Sequence, residues 1–365
     1  MYKIVLTGGP SSGKSSSLAR IEQELTSRGW KVFIVEESAT NLVQMGINLG
    51  KHLSKIDFQS FVLENQLNNE KIVEKVSSFY KDEKVVIICD RGIMDGAAYT
   101  SKEDFKELLH KNNLSKRKVF SRYDGIIHLV TAAKDYPQSY SFENKARREN
   151  IKEAIDSDNR VLKSWVGHPH LRVVEGKSTF QEKIDCVLKE IYNILGEPTP
   201  KEIEKKLLIK KPTKEELKTM GVINKSTIIQ TYLLSGNDTV ERRIRQRGKD
   251  GDYSYYYTEK RETGTSGERI ETEKKITAKE YISLMADTDF SKHQIVKTRY
   301  CFIYKNQYFE LDIYPFDNKK AILEIELGDI NDKFELPEFI EVIKDVTDDK
   351  RYKNNYIAKD LKLGD

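Results

Sequence analysis

A strand, a glycine-rich turn and a helix follow one another at the start of the chain, and few folds admit that succession. Lys3-Ile4-Val5-Leu6 is a short apolar run, and it feeds Gly8-Gly9-Pro10-Ser11-Ser12-Gly13-Lys14-Ser15, which matches G-x-x-x-x-G-K-[ST]. The glycines Gly8, Gly9 and Gly13 let successive backbone N–H groups, with Ser12 and Ser16 alongside, converge on phosphate oxygens. Lys14 adds a positive charge at the terminal phosphates, and the Ser15 hydroxyl is placed to ligate Mg²⁺. The segment 16–27 carries Leu18, Ile21 and Leu25 at helical spacing, so the loop opens a helix as phosphate binding requires.

Further apolar runs continue the pattern. Residues 31–35, 85–89, 125–130 and 171–174 read as strands, and helical stretches such as 58–79 separate them. Apolar strands alternating with helices predict a parallel sheet covered on both faces, with ligands at the carboxyl ends of the strands. Asp90 stands at such an end and suits a Mg²⁺-water ligand or a catalytic base. Glu36 and Glu37 end the second strand and are candidates for a ribose, base or phosphoryl-acceptor contact, with a helix N-cap neighbourhood as the alternative. Arg147 and Arg148, inside the charged run 143–149, are candidates for a lid over the phosphates, with a solvated helix as the alternative.

These residues carry a resemblance. The P-loop, Glu36-Glu37-Ser38-Ala39-Thr40, Asp90-Arg91-Gly92 with Asp95, and the Arg147-Arg148 region resemble the P-loop domain shared with the ribosylnicotinamide-kinase part of NadR. That likeness spans residues 1 to about 195. It implies ATP or GTP as ligand and raises a small-molecule kinase as one reading.

Past Gly196 the stretch Glu197-Pro198-Thr199-Pro200 is a short stiff connection, which divides the chain into domains at 1–196 and 197–365. The second half is rich in strands whose charges alternate. Glu202, Glu204 and Lys206 share one face of a strand, and far downstream Glu324 and Glu326 do the same. Between them Arg243, Arg245 and Arg247 share a face, as do Lys297 with Arg299, Glu271 with Glu273, and Glu310 with Asp312; Lys260 falls in a further strand. A one-faced sheet with a polar exterior explains any one of these strands but not all together. Closing the sheet into an antiparallel barrel, charged face inward, predicts a hydrophilic tunnel. Its cations Lys206, Arg243, Arg245, Arg247, Lys260, Lys297 and Arg299 would hold a triphosphate. Its acids Glu202, Glu204, Asp312, Glu324 and Glu326 would hold Mg²⁺ or Mn²⁺, hard cations that prefer oxygen ligands. Glu271 or Glu273 would orient an attacking water.

This pattern resembles the CYTH superfamily of triphosphate tunnel metalloenzymes, whose E-x-E-x-K signature stands here as Glu202, Glu204 and Lys206. The likeness implies hydrolysis of tripolyphosphate or nucleoside triphosphates. The succession of a NadR-like P-loop domain and a tunnel domain resembles the TRPL translocation defect protein family, which implies GTP and phosphoinositide binding, and with it peripheral contact with membranes.

Composition narrows the rest. Lys and Arg number 62 against 58 Asp and Glu, so no basic excess points to nucleic acid. The three cysteines, Cys89, Cys186 and Cys301, suggest neither a disulfide framework nor a zinc knuckle. With no signal-like segment and no long apolar run, a cytoplasmic protein is the expectation.

Overall fold

The computed structural model describes residues 1–135, 150–176, 179–197, 204–221, 223–236, 240–262, 269–327 and 333–364, with side chains omitted at 135, 262 and 269–271. The chain divides into two units, Met1–Leu195 and Gly196–Asp365.

The first unit is built on parallel strands β1 (Tyr2–Thr7), β2 (Trp30–Val35), β3 (Lys84–Asp90), β4 (Gly125–Leu129) and β5 (Leu171–Val174), ordered β2-β3-β1-β4-β5. Successive side chains of a strand point to opposite faces, and here both faces are covered, which is why β3 is apolar without alternation. On one face Ile4, Leu6, Val86 and Ile88 pack with Ile21 and Leu25 of helix Lys14–Ser27 and with Val187 and Ile191 of helix Phe180–Leu195. On the other, Lys3 pairs with Glu70 of helix Lys55–Ser77. Trp165, closing helix Ile151–Trp165, lies beside Gly92 and Val5. The central position of β1 matters for function: its register sets Leu6 beside Asp90 and Thr7 beside His128. The loop that leaves β1 is therefore flanked by the ends of β3 and β4.

The second unit is an antiparallel sheet of β6 (Glu204–Lys210), β7 (Asn224–Leu233), β8 (Val240–Lys249), β9 (Asp252–Glu262), β10 (Arg269–Ile276), β11 (Ile295–Tyr304), β12 (Gln307–Ile313), β13 (Lys320–Glu326) and β14 (Val342–Asp345). The nine strands run β10-β9-β8-β7-β11-β12-β13-β6-β14. Among the described residues no ladder joins β10 to β14, so a hydrogen-bonded closed barrel is not seen there. The last strand, β14, is short and fully exposed, and it covers the edge of β6 that closure would use.

One face of this sheet is apolar. Leu207, Phe302, Phe309, Leu311, Leu323 and Ile325 form its centre, with Leu217 of helix Lys214–Thr219 packed on it. Ile244 and Ile276 of the same sheet pack with Tyr281 of helix Ala278–Leu284. The opposite face carries the alternating charges, and at one end it turns apolar: Tyr232, Ile295, Tyr314, Ile322 and Leu208 join Tyr352, Ile357 and Ala358 of the C-terminal segment. Among the described residues no helix is long and apolar enough to cross a membrane.

Candidate phosphate sites

The P-loop takes its shape from positions only glycine fills cheaply. Gly8 has φ +146°, and a Cβ there would stand 2.2 Å from the Leu129 carbonyl oxygen. Gly13, at φ +92°, caps helix Lys14–Ser27 and would meet the Phe180 ring at 2.5 Å. Lys14 is buried and folds back on the loop, its Nζ donating to Gly8 O at 3.1 Å and Gly9 O at 3.3 Å. Burial, then the Arg91 guanidinium, lower its pKa to about 8. These weak neutral acceptors are ones that phosphate oxygens would outcompete.

Ser15 is exposed, and its hydroxyl donates to Asp90 Oδ2 at 3.3 Å. The other oxygen, Asp90 Oδ1, is buried with no hydrogen-bond partner among the described residues. Burial raises the Asp90 pKa, with Lys14 pulling the other way. A carboxylate with one orphaned oxygen beside a serine hydroxyl fits Mg²⁺, so Ser15 and Asp90 are residues that would hold it. The remaining predicted members, Gly9, Ser12 and Ser16, lie in the loop or the first turn of its helix. Arg147 and Arg148 lie outside the described residues.

Around the loop the structure brings in Glu37, Arg91 and Asp95, named from the sequence, and Asp158, His128 and Lys134, which were not. Arg91, with a left-handed φ of 70°, donates to Gly8 O at 3.1 Å and pairs with Glu37. Burial raises the Glu37 pKa, but Arg91 overrides it and the net shift is downward, keeping this carboxylate charged beside the loop. Asp95 serves the fold, accepting from Thr7 Oγ1 at 2.8 Å and Trp165 Nε1 at 2.5 Å. Asp158 accepts from the Gly9 N–H at 2.8 Å, and His128 and Lys134 lie within 3.2 and 2.9 Å of it. Gly9 and Asp158 are 149 residues apart, and no local pattern joins them.

On the sheet, Lys206, Arg243, Lys297 and Arg299 are each at most 9% exposed, as are Glu310, Asp312 and Glu324. Long charged side chains on a solvated sheet face would not be so hidden. Cross-strand register accounts for their pairing. Asp312 faces Arg299, Glu324 faces Glu310, and Lys206 faces Glu324. Two acids directly opposite repel, and Arg299 resolves this. Its guanidinium reaches Asp312 at 2.6 and 2.7 Å, Glu324 at 2.6 Å, and also Glu310. Lys297 donates to Asp312 at 2.5 Å, and Lys206 lies 2.9 Å from Glu324 and 3.3 Å from Glu204. Burial pushes the Lys206 pKa down, but Glu324 and Glu204 more than offset it and hold the ammonium charged. Burial likewise works against the charge of Glu324, and Lys206, Arg299 and Lys297 outweigh it.

Toward β10, Arg245 lies 3.4 Å from Glu273, which also accepts from Thr258 at 2.9 Å. Arg247 donates to Cys301 Sγ at 3.6 Å. Lys260 is half-buried, with Glu241 and Glu271 opposite it on the two neighbouring strands; the Glu271 side chain is outside the description. The metal assignment divides. Asp312 and Glu324 are taken up by Lys297, Arg299 and Lys206, which leaves them unsuited to a metal in this state. Glu204 and Glu326 stand opposite each other in register, a like-charge pair that a hard cation would offset. Glu202, expected to join them, is not among the described residues, and within those no group of three or more His, Cys, Asp or Glu could hold a metal.

Residues 3–183 match the family model of an AAA domain, over the unit that carries the P-loop. Among solved structures, the chain is similar to the inorganic triphosphatase NE1496 at 28% identity, covering 44% of this chain and 95% of that one, with a TM-score of 0.32. A second structure of NE1496, described as a hypothetical protein, gives 28% identity over 45% and 100%, again with a TM-score of 0.32. The PH1819 protein of Pyrococcus horikoshii OT3 is 20% identical over 34% of this chain and 78% of its own, with a TM-score of 0.27. No curated protein matches the chain.

Proposed function

We propose that the chain handles phosphates at two sites, binding a Mg²⁺-nucleoside triphosphate, ATP or GTP, at the P-loop and hydrolysing tripolyphosphate or nucleoside triphosphates at the charged sheet face. The observation that carries the second site is the burial of Lys206, Arg243, Lys297 and Arg299 on one face, in a sheet whose other face already supplies the apolar core. Burying that many ions serves stability poorly, because desolvation cancels much of the pairing. It suits a face that exchanges internal acids for the oxygens of an incoming polyanion.

At that face the cations fix the triphosphate, and Glu273, held by Arg245 and Thr258, orients a water toward the terminal phosphorus, with Glu271 in support. The water oxygen bonds to phosphorus, the bridging P–O bond breaks with its electrons on the leaving oxygen, the water's proton passes to product phosphate or solvent, and phosphate leaves with diphosphate or the nucleoside diphosphate. Mg²⁺ or Mn²⁺, held by Glu204 and Glu326 with Glu202, would supply charge neutralisation to the phosphoryl oxygens. At the P-loop, backbone N–H groups and Lys14 hold the phosphates, and Ser15 and Asp90 would hold Mg²⁺ to neutralise them. Phosphate release from tripolyphosphate, ATP and GTP, measured with and without Mg²⁺ or Mn²⁺, tests the hydrolytic reading. No release by the wild type, or release undiminished in Glu204→Ala plus Glu326→Ala, removes it.

A second reading, a nucleotide-regulated module binding a polyanion or phosphoinositide headgroup without hydrolysis, is favoured by the pairing of Asp312 and Glu324 with cations rather than with each other. Headgroup binding lost in Arg243→Ala plus Arg245→Ala, from a parent that releases no phosphate, selects it. The Glu37–Arg91 pair beside Lys14 favours a third, phosphoryl transfer to a small-molecule hydroxyl in the first unit. Phosphorylated product from a panel of nucleosides, absent in Glu37→Gln, is its test.

A further inference from the structure

The P-loop opens on two adjacent glycines, and no side chain biases the peptide between them. Gly8 stands at φ +146°, open to glycine and strained for other residues. A trans peptide points its carbonyl and its N–H in opposite directions, so this one can be held from both sides. On the carbonyl side, Gly8 O accepts from Arg91 Nη1 and from Lys14 Nζ, each at 3.1 Å. On the amide side, the Gly9 N–H donates to Asp158 Oδ1 at 2.8 Å. Asp158 belongs to helix Ile151–Trp165 and is fully buried. A Cβ on Gly9 would stand 2.7 Å from the Asp158 Cβ, so the helix meets the loop at a distance that only glycine permits.

The two holders have the same build. Arg91 is paired with Glu37 and lies 3.3 Å from Asp95. Asp158 has Lys134 at 2.9 Å and His128 at 3.2 Å. Burial works against the Asp158 charge, and His128 and Lys134 outweigh it, so the pKa is lowered and the carboxylate stays ionised. A bare carboxylate beside bound phosphate would repel it. One that arrives with its own cation gives an N–H a strong acceptor while adding little net charge. When phosphate oxygens draw Lys14 away from Gly8 O, Arg91 and Asp158 remain as the two groups on this peptide. Without Asp158, a peptide between two glycines is free to turn over.

We propose that Asp158 is a positioning residue of the P-loop, a role that rests on nucleotide binding there. It pins the Gly8–Gly9 peptide from its N–H side and so keeps the loop in the shape that presents Lys14 and the later N–H groups to phosphate. The first test uses the full chain with isotope-labelled glycine and no nucleotide. By nuclear magnetic resonance the Gly9 amide exchanges with solvent at least roughly tenfold more slowly than that of exposed Gly236. A Gly9 amide as fast as Gly236 overturns the role, whether or not any variant folds. The second test is calorimetry with Mg²⁺ and ATP or GTP. Asp158→Ala weakens binding by about ten- to a hundredfold. Asp158→Asn keeps an oxygen that accepts from the Gly9 N–H, and recovers affinity to within about fivefold of the wild type. The fluorescence transition of Trp165, on the same helix, shows that both variants are folded at the titration temperature. Unchanged affinity in Asp158→Ala overturns the role, as does a loss in Asp158→Asn equal to that in Asp158→Ala. If Lys14→Ala loses nucleotide and Asp158→Ala does not, the positioning role falls and the P-loop reading stands. If the wild type binds no nucleotide, the P-loop reading falls and takes the role with it, even where slow exchange at Gly9 shows the bond formed.

Discussion

The P-loop and the charged sheet face, the two proposed phosphate sites, are built from opposite materials. The loop draws on backbone N–H groups and one lysine from a single contiguous stretch, and its glycines are dictated by close approach, as at Gly8 and Gly13. The sheet face draws on side chains from at least five strands, and Lys206, Arg243, Arg245, Lys297 and Arg299 are each paired with a neighbouring acid. In the loop, therefore, the ligand-binding groups and the groups that hold the fold are largely different. On the sheet they are the same, and Arg299, bonded to three acids, is the extreme case.

That contrast breaks first, and most visibly, at Arg299. Arg299→Ala leaves Asp312, Glu310 and Glu324 buried without their shared cation, which costs about 3–5 kcal/mol. In denaturant, the second unit melts early by far-ultraviolet circular dichroism. The two tryptophans, Trp30 and Trp165, both lie in the first unit, so their fluorescence transition stays in place. A tryptophan transition that moves with the other would show that the units do not keep separate stabilities.

Lys14→Ala is the converse. Losing one charge-assisted contact removes about 1.5–3 kcal/mol of nucleotide affinity, or roughly ten- to a hundredfold, with the melting transitions almost unmoved. Unaltered nucleotide binding by calorimetry would discard the loop as the site.

The pH dependence sharpens the comparison further. Lys14 titrates at about 8 in the free protein, and phosphate prefers its charged form. Nucleotide affinity thus weakens as pH rises above about 8, by at most about 1.4 kcal/mol per pH unit. Lys206 and Arg299 are held charged by their acids, so their part in polyphosphate binding at the sheet stays flat over the same range, whereas burial lowers the Lys297 pKa and its part weakens as pH rises. Titrations at pH 7 to 9.5 compare the two, and Lys14→Arg should flatten the first curve.

The smallest effect is at Thr258→Val, which removes the hydroxyl held to Glu273 and costs about 1 kcal/mol. A modest fall in the melting midpoint of the second unit is the expected reading. A fall as large as that of Arg299→Ala would mean that β9 and β10 carry more of the sheet's stability than their charges suggest.

Much of the first unit is legible in the sequence because its signals are local. The G-x-x-x-x-G-K-S spacing, the apolar run of β3 and the helical spacing after Lys14 each lie within a few residues, and Asp90 follows as the polar residue ending a buried strand. Asp158 was not legible, since its bond to Gly9 joins distant segments through β4 and a helix. Arg91 was visible as part of Asp90-Arg91-Gly92, but its role waits on the left-handed turn that swings the guanidinium over Gly8.

In the second unit, alternation grouped Lys206, Arg299, Glu310, Asp312 and Glu324 on one face, where the register pairs them, because period 2 is a property of the extended backbone; Arg242, Glu259 and Lys274 fall on the other. It also led to a closed barrel, and the described pairing ends instead at β10 and β14. Alternation specifies which way a side chain points, and carries no information on which edges meet. Nor could it assign partners: Asp312 and Glu324, read as metal ligands, are occupied by Lys297, Arg299 and Lys206 through cross-strand register.

By itself, then, the sequence determined a strand-loop-helix phosphate cradle and a second half of strands with charges at alternate positions, for both follow from backbone geometry over short distances. Only the tertiary structure decided that Arg299 is the cation shared by three acids and that Asp158 reaches the P-loop at Gly9. Those outcomes depend on register and burial, set by contacts between residues far apart in the chain.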